Sequence, residues 1–428
     1  MIQDRKSSPE IGKLSKIPSL GVKSMTLKNG VELHFVNDED QNVCQIDLSF
    51  TAGNIHQPKK LVSASACRLL EDGTKKKSGS ELIDAFDYYG AYIECKAAID
   101  RSEISMYGLH RHLEKTIPLL REMITEPAYR EEDVIRYKER RKQILQIQLN
   151  KVDVIASRKF MASLFGNEHP YGNEIFPDDY NTVQQEDLIE FHKNFYLGCK
   201  PKIFAAGKVD SIMIDIIQKE FGGINFGSKN LWDEDLTNTK VKTQFGKHEI
   251  KMPGQIQSGI KVGKLFPNIH HENNHGLSVL STILGGYFGS RLMMNIREDK
   301  GYTYGIGSFI RHMKGGSYFG ISTQVANEVY INTLKEIRLE IEKLRSEKIS
   351  VTELSLVKNY LKGSLLRNFD GSFSKLERYK TLNFNDLELS YYDNLLESIN
   401  DIDSVQLLQL ANEHLTDEDF TEIVAGLA

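Results

Sequence analysis

At 428 residues, 40% of them hydrophobic, the chain is long enough to bury two cores rather than one. Its 54 basic and 59 acidic residues nearly balance, and no basic block is interleaved with aromatics, which argues against a nucleic-acid partner. No apolar run reaches the length of a membrane span.

The start, Met1-Ile2-Gln3-Asp4-Arg5-Lys6, lacks the apolar core of a signal peptide. A hairpin signal follows, with strand-like runs at 24–28 and 31–36 flanking Asn29-Gly30, the dipeptide suited to a type I′ turn. A strand is expected at 43–51, helices at 60–70 and 80–89, and strands at 91–97 and 103–109. A helical run from 113 to about 164 comes next, then a helix at 185–196, a strand at 202–206 closed by Gly207, and a short helix at 212–221. The four cysteines, Cys44, Cys67, Cys95 and Cys199, have no Cys-x-x-Cys spacing and read as buried thiols of a reducing compartment. The expected setting is a soluble, cytoplasmic protein, periplasmic if a leader has been removed.

The second half repeats this order. Strands at 247–252 and 258–265 precede helical stretches at 276–283 and 290–297. Strands at 302–311 and 317–323, helices at 326–344 and 352–367, and a last strand at 421–425 complete it. Asn54-Ile55-His56 answers Asn268-Ile269-His270, and Ala205-Ala206-Gly207 answers Val424-Ala425-Gly426. The expected fold class is therefore α+β, with two tandem homologous domains, each a mixed or antiparallel sheet packed with helices. Their bounds are 1–221 and 247–428, joined by a polar, glycine-bearing linker, 222–246, that holds the single tryptophan, Trp232.

The most informative stretch is Gly285-Gly286-Tyr287-Phe288-Gly289-Ser290-Arg291-Leu292, continuing through Arg297-Glu298-Asp299-Lys300-Gly301-Tyr302-Thr303-Tyr304. It resembles the second-half signature of the pitrilysin/insulinase-type (inverzincin) zinc peptidases, the group that includes the mitochondrial processing peptidase. The order of elements matches that family across nearly the whole chain. In the family, an arginine and a tyrosine seven residues later reach a zinc site built in the first half, and Arg297 and Tyr304 have that spacing.

Family enzymes carry His-x-x-Glu-His on the first long helix of the first half. Two imidazoles at i and i+4 share a helix face and bind zinc, and the glutamate activates its water. Gly73-Thr74 resembles the segment that follows this motif, which places Ala64, Cys67 and Arg68 where His, Glu and His would stand. No histidine occurs between His56 and His110. The segment matching the third ligand, Arg140 to Ile147, contains no carboxylate. The expectation is that this chain holds no cofactor and that zinc belongs to a partner.

Arg297 and Tyr304 also carry a physical argument of their own. A guanidinium and a phenol converging on one point suit a carbonyl oxygen that gains negative charge during acyl transfer. Arg297 is expected to end a helix, Gly301 to make the turn, and Tyr304 to sit early in the next strand. Gly285 and Gly286 are expected to let the backbone pass close to substrate. No Lys-Ser/Thr follows them, so a phosphate loop is disfavoured.

His271-Glu272-Asn273-Asn274-His275 is formally His-Glu-x-x-His, but its two asparagines and its place before a helix point to a polar loop. His110-Arg111-His112 reads as a solvated turn. His169-Pro170-Tyr171-Gly172 resembles a loop common in family first halves, and its role is structural as far as the sequence shows.

The resemblance implies a metal-free subunit of a heterodimeric zinc peptidase, inactive alone. It would supply Arg297 and Tyr304, while a zinc-bearing homologous subunit supplies metal and base. The pair would enclose, clam-shell fashion, a chamber admitting a peptide or an unfolded protein. The alternatives are a non-catalytic scaffold or peptide-binding protein of the same fold, or an independent zinc peptidase using His271, Glu272 and His275.

Overall fold

The structure, a computed structural model, describes residue 14 and residues 16–234 and 241–427. Residues 1–6 of the expected leaderless start and 235–240 of the expected linker lie outside the described residues.

The first half contains β1 (Val22–Thr26), β2 (Glu32–Asn37), β3 (Val43–Phe50), α1 (Val62–Arg68), α2 (Gly79–Tyr88), β4 (Tyr92–Ala97) and β5 (Ser102–Leu109). These are followed by α3 (Leu113–Thr125), α4 (Glu131–Gln148), α5 (Val152–Phe165), α6 (Gln185–His192), β6 (Lys202–Gly207) and α7 (Ser211–Phe221). The second half contains β7 (Gly246–Lys251), β8 (Gln257–Phe266), α8 (Asn274–Ser281), β9 (Ile306–Met313) and β10 (Gly316–Ala326). It closes with α9 (Tyr330–Ser346), α10 (Val351–Arg367), α11 (Gly371–Phe384), α12 (Tyr391–Asp401), α13 (Ser404–His414) and β11 (Thr421–Leu427).

Strand order states the duplication directly. The first sheet runs β1-β2-β6-β3-β5-β4 and the second β7-β11-β8-β10-β9. In each, the last strand of the half slots in between an early strand, which it meets in parallel, and the next strand, which it meets antiparallel. An antiparallel hairpin then extends the sheet, β4–β5 in one half and β9–β10 in the other. Among the described residues the second sheet has no counterpart of β1. Two mixed sheets covered by helices are thus the α+β architecture read from the sequence.

Local chemistry corrects two expectations. The Asn29-Gly30 turn is not type I′, which needs positive φ at both central residues. Only Gly30 has it, at +81°. Gly30 N–H donates to Leu27 O (2.8 Å) and Leu27 N–H to Val31 O (2.8 Å), giving a three-residue loop. Asn29 is instead used outward, its amide donating to Phe221 O (2.9 Å) and Ile224 O (2.8 Å).

The expected helical run from 113 to 164 is three helices. Pro127 disfavours helical backbone at Glu126, Tyr129 adopts a left-handed φ of 43°, and Glu131, Glu132 and Asp133 restart the helix with charge suited to its N-terminus. Residues 368–420, unassigned from the sequence, hold α11, α12 and α13.

Each sheet packs one face on helices of its own half, around Ile46, Leu48, Ile104 and Ile117 in the first and Ile260, Val262, Ile321 and Ile337 in the second. The opposite faces are covered by exchange. Helix α5, from the first half, packs on β8 and β11 through Ala156, Phe160 and Leu164 against Ile423 and Ala425. Helix α11, from the second half, packs on β2 and β6 through Leu376 against Val36, Phe204 and Ala206.

The α11 contact also carries charge. Lys380, 4% exposed at its side chain, reaches Asp47 Oδ2 (3.0 Å), Glu103 Oε2 (2.7 Å) and Glu377 Oε1 (3.0 Å). Gln45 donates to the same Asp47 oxygen (2.8 Å). Burial pushes Asp47 up to about 6 although Lys380 pulls it down, and the surrounding carboxylates raise Lys380.

Replacing Lys380 with Met leaves Asp47 buried without its cation and is expected to cost about 3–5 kcal/mol in urea unfolding; a loss under about 1 kcal/mol would refute the network's role. Asp47 has a folded pKa above its unfolded one, so its contribution to stability declines as pH rises from about 4 to about 6. Asp47→Asn should remove that slope from stability measured across this window.

Candidate functional site

The glycine-rich stretch begins inside a helix. After α8 the chain widens into a π-helical turn, Thr282–Gly286, and a second one spans Met293–Asp299. Gly285 is buried against β9, where a Cβ would fall 2.4 Å from Ser308 N, so the absence of a side chain is what lets this turn touch the sheet. Gly286 is exposed and faces the side chain of Thr282. The structure thus gives Gly285 a packing function that the sequence reading had not recognised.

Arg297 lies near the end of the second π-helical turn. Gly301, at φ +66°, terminates it, with Gly301 N–H donating to Arg297 O (3.1 Å) and Tyr302 N–H to Ile296 O (3.0 Å). The Arg297 guanidinium carbon lies 4.6 Å from the centroid of the Phe288 ring, and one nitrogen is 3.5 Å from Glu298 Oε1. Phe288 is itself 60% exposed. This ring under the guanidinium was not expected from the sequence, although Phe288 stands within the Gly285 to Leu292 motif.

Tyr304 is not in a strand, because β9 begins at Ile306. It occupies a bend held by its neighbour: Thr303 Oγ1 donates to Gln324 O (2.8 Å) and accepts the Gly305 N–H (3.1 Å). The strand is postponed because the Thr303 hydroxyl, not a ladder partner, satisfies this backbone. Tyr304 itself is 96% exposed and makes no hydrogen bond among the described residues. Among the described residues no hydrogen bond or cation–π contact joins Arg297 to Tyr304, but both stand at the surface within one short stretch of chain. Behind them Tyr287 stacks on Tyr360 at 4.9 Å, and Arg291 binds Glu353 through two nitrogens (2.8 and 2.9 Å), fixing the segment to α10.

The first-half helix aligned with the zinc motif is packed shut. On α1, Ala64 is half-buried, Arg68 is exposed, and Cys67 is wholly buried. The Cys67 thiol is hydrogen-bonded to Cys95 of β4, and that bond together with burial pushes Cys95 well up. Tyr129 donates to the Ala66 carbonyl (2.9 Å), and Tyr196 fills the remaining space. Among the described residues, no three His, Cys, Asp or Glu side chains gather where they could hold a metal.

The His271–His275 pair is split by its surroundings. His271 precedes α8 and meets His414 edge-on, whereas His275 is inside the helix against Tyr391 at 4.8 Å. His110–His112 forms a single 3-10 turn, with His110 bound to Asp210 (3.0 Å). Tyr171 of the His169–Gly172 loop bridges the halves, its hydroxyl joining Asp100 Oδ1 (2.7 Å) to Gly315 N–H (2.7 Å).

Duplicated sheets, exchanged helices and the second-half motif resemble those of the pitrilysin-type peptidase family, and the comparisons point the same way. Residues 182–361 match that family's model described as the peptidase M16 inactive domain. The chain is similar to a Bacillus subtilis protein named uncharacterized zinc protease YmxG, 22% identical over 391 residues that cover 90% of this chain and 93% of the relative. It is 25% identical over 234 residues to the mitochondrial-processing peptidase subunit alpha-1 of Dictyostelium discoideum, covering 52% of this chain and 34% of that one. The solved structure of a peptidase M16 inactive domain from Pseudomonas fluorescens shares the fold with a TM-score of 0.83 at 21% identity, covering 95% of this chain and 98% of that chain. A protease structure from Helicobacter pylori gives 0.83 at 19% identity, covering 95% and 99%. No helix among the described residues is long and apolar enough to cross a membrane.

Gly285→Ala should destabilise the chain by about 1–3 kcal/mol in chemical unfolding, because the added methyl must displace the β9 backbone. Tyr304→Phe, at an exposed and unbonded position, should leave the thermal unfolding midpoint unchanged. A reversed order of these two effects would contradict the packing described.

Proposed function

We propose that this chain is the metal-free subunit of a two-subunit zinc peptidase. A homologous partner supplies the zinc, its ligands and the general base, and this chain supplies Arg297 and Tyr304 to the substrate carbonyl. The observation that carries this reading is Tyr304, 96% exposed on a bend whose backbone is pinned by Thr303. A tyrosine held outward at such expense of apolar surface, beside an Arg297–Phe288 pair, is suited to a surface that meets something else.

The same reading accounts for the division between halves. The helix that would bear metal ligands is sealed by Cys67, Cys95 and Tyr196, while the donors of the second half remain open. An arginine and a phenol directed at a developing oxyanion stabilise it most where water is excluded, and a closing partner would exclude it. Peptide would be held by strand addition on the partner's sheet edge, which asks little of side-chain sequence.

The test is reconstitution. Purified alone, the chain is expected to bind no stoichiometric zinc by elemental analysis and to leave an unfolded fluorogenic peptide intact. Mixed with a zinc-bearing homologue from the same cells, it should restore cleavage. Arg297→Ala and Tyr304→Phe should each lower kcat/KM of the mixture by roughly 10²–10³-fold, the cost of removing one oxyanion donor. Unchanged rates in both variants would overturn the proposal, as would full activity of the partner alone.

A further inference from the structure

The two halves meet where their matching hairpins touch. The β4–β5 turn presents Asp100 and Arg101, and the β9–β10 turn presents Lys314 and Gly315. Besides the Tyr171 bridge, Lys314 N–H donates to Asp100 Oδ2 (3.2 Å), so both Asp100 oxygens are engaged. Beside this clamp lies a cavity of about 240 Å³, walled by Thr51, Arg101, Trp232, His312, Lys314 and Phe384 among others. Its lining comes from both halves and from the segment that joins them.

Within it, Arg101 has no acceptor among the described residues. Its guanidinium carbon lies 3.9 Å from the centroid of the Phe384 ring, and Phe384 also stacks on Trp232 at 5.6 Å. The adjacent carboxylates are committed elsewhere. Asp100 serves Tyr171 and the Lys314 backbone, while Glu103 Oε2 takes Lys380 (2.7 Å) and Ser49 Oγ (3.1 Å). No hydrogen bond or ion pair ends on the Arg101 side chain among the described residues, and burial pulls its pKa below the ordinary arginine value. Lys314 is occupied by the carbonyls of Leu231 and Trp232.

A second group points the same way. Thr51 is 2% exposed, and its hydroxyl lies beside the Cys199 thiol with no other hydrogen-bond partner among the described residues. The neighbouring imidazoles of His56 and His312 are held towards the neutral form by burial, His312 down to about 4. A planar donor fork with no acceptor among the described residues, a buried hydroxyl with only a thiol beside it and an aromatic wall together match a carboxylate carried on a short apolar group.

We infer that this junction cavity binds a carboxylate group, the free C-terminus of a peptide or a small organic acid, with Arg101 as its two-pronged donor and Thr51 as an additional one. The inference does not depend on zinc pairing and is tested on the chain alone, so its failure and that of the proposed function are separable.

Trp232 is the only tryptophan in the sequence and lines the cavity, so intrinsic fluorescence reports occupancy. The full chain would be titrated with N-acetyl-phenylalanine and its amide, and with an acetylated decapeptide in free-acid and amide forms. The acids should give a saturable change, with the amides weaker by about ten-fold or more, the scale of one charge-assisted hydrogen bond. Arg101→Gln should weaken the acids similarly. Arg101→Lys, which keeps charge but loses the fork, and Thr51→Val should weaken them several-fold, and either serves if Arg101→Gln fails to fold. Tighter binding of the decapeptide acid identifies a peptide terminus, and equal binding identifies a small acid. No saturable response, equal responses to acid and amide, or undiminished binding in all folded variants would overturn the inference.

Discussion

A sheet buries two faces, and in this chain neither half can cover both of its own. Helix α5 leaves the first half to lie on β8 and β11, and α11 leaves the second to lie on β2 and β6. This exchange is the constraint on which the rest of the molecule depends. It makes the two sheets one folding problem and brings matching hairpins together at the junction. It also forces a charged helix face against a sheet, where Lys380 must meet Asp47 and Glu103 out of water. A buried network of this kind does little for stability compared with apolar packing, but it penalises any other docking of α11.

The two halves differ in opposite ways at their corresponding helices. On α1, small residues and one thiol, Cys67, pack against β4 and Tyr196, and the helix is ordinary core. The corresponding region of the second half has an irregular backbone, with two π-helical turns, a left-handed glycine at 301 and a bend at Tyr304. Irregular backbone of this type is retained where it positions side chains rather than where it only fills space. Phe288, Arg297 and Tyr304 are the side chains it positions, and all three reach the surface.

The junction joins these two themes. Asp100 and Tyr171 tie the hairpins, and the polar groups left over, Arg101 and Thr51, face the space between them. Spending the nearby carboxylates on structural bonds to Lys380 and Tyr171 is what leaves a guanidinium without an acceptor. The network that locks α11 and the open donor of the cavity are therefore two results of one distribution of charge.

Much of this was legible from residues alone. Alternating and helical periodicities, with the paired Asn-Ile-His and Ala-Gly signals, determined two repeated α+β units, because hydrophobic period is a local property of the chain. The second-half motif singled out Arg297 and Tyr304, and glycine at 301 marked the turn between them. Three things were decided only by the tertiary structure. Helix α11 was not legible because it buries Lys380 along with Leu376 and Leu382, so its core face does not read as apolar. Tyr304 fell outside the strand because the Thr303 hydroxyl takes the Gly305 N–H and reaches the Gln324 carbonyl, which is distant in sequence. The cavity at the junction was invisible because Thr51, Arg101, Trp232, Lys314 and Phe384 share no sequence neighbourhood. They come together only when each half covers the other's sheet, a long-range consequence of burial that no local pattern encodes.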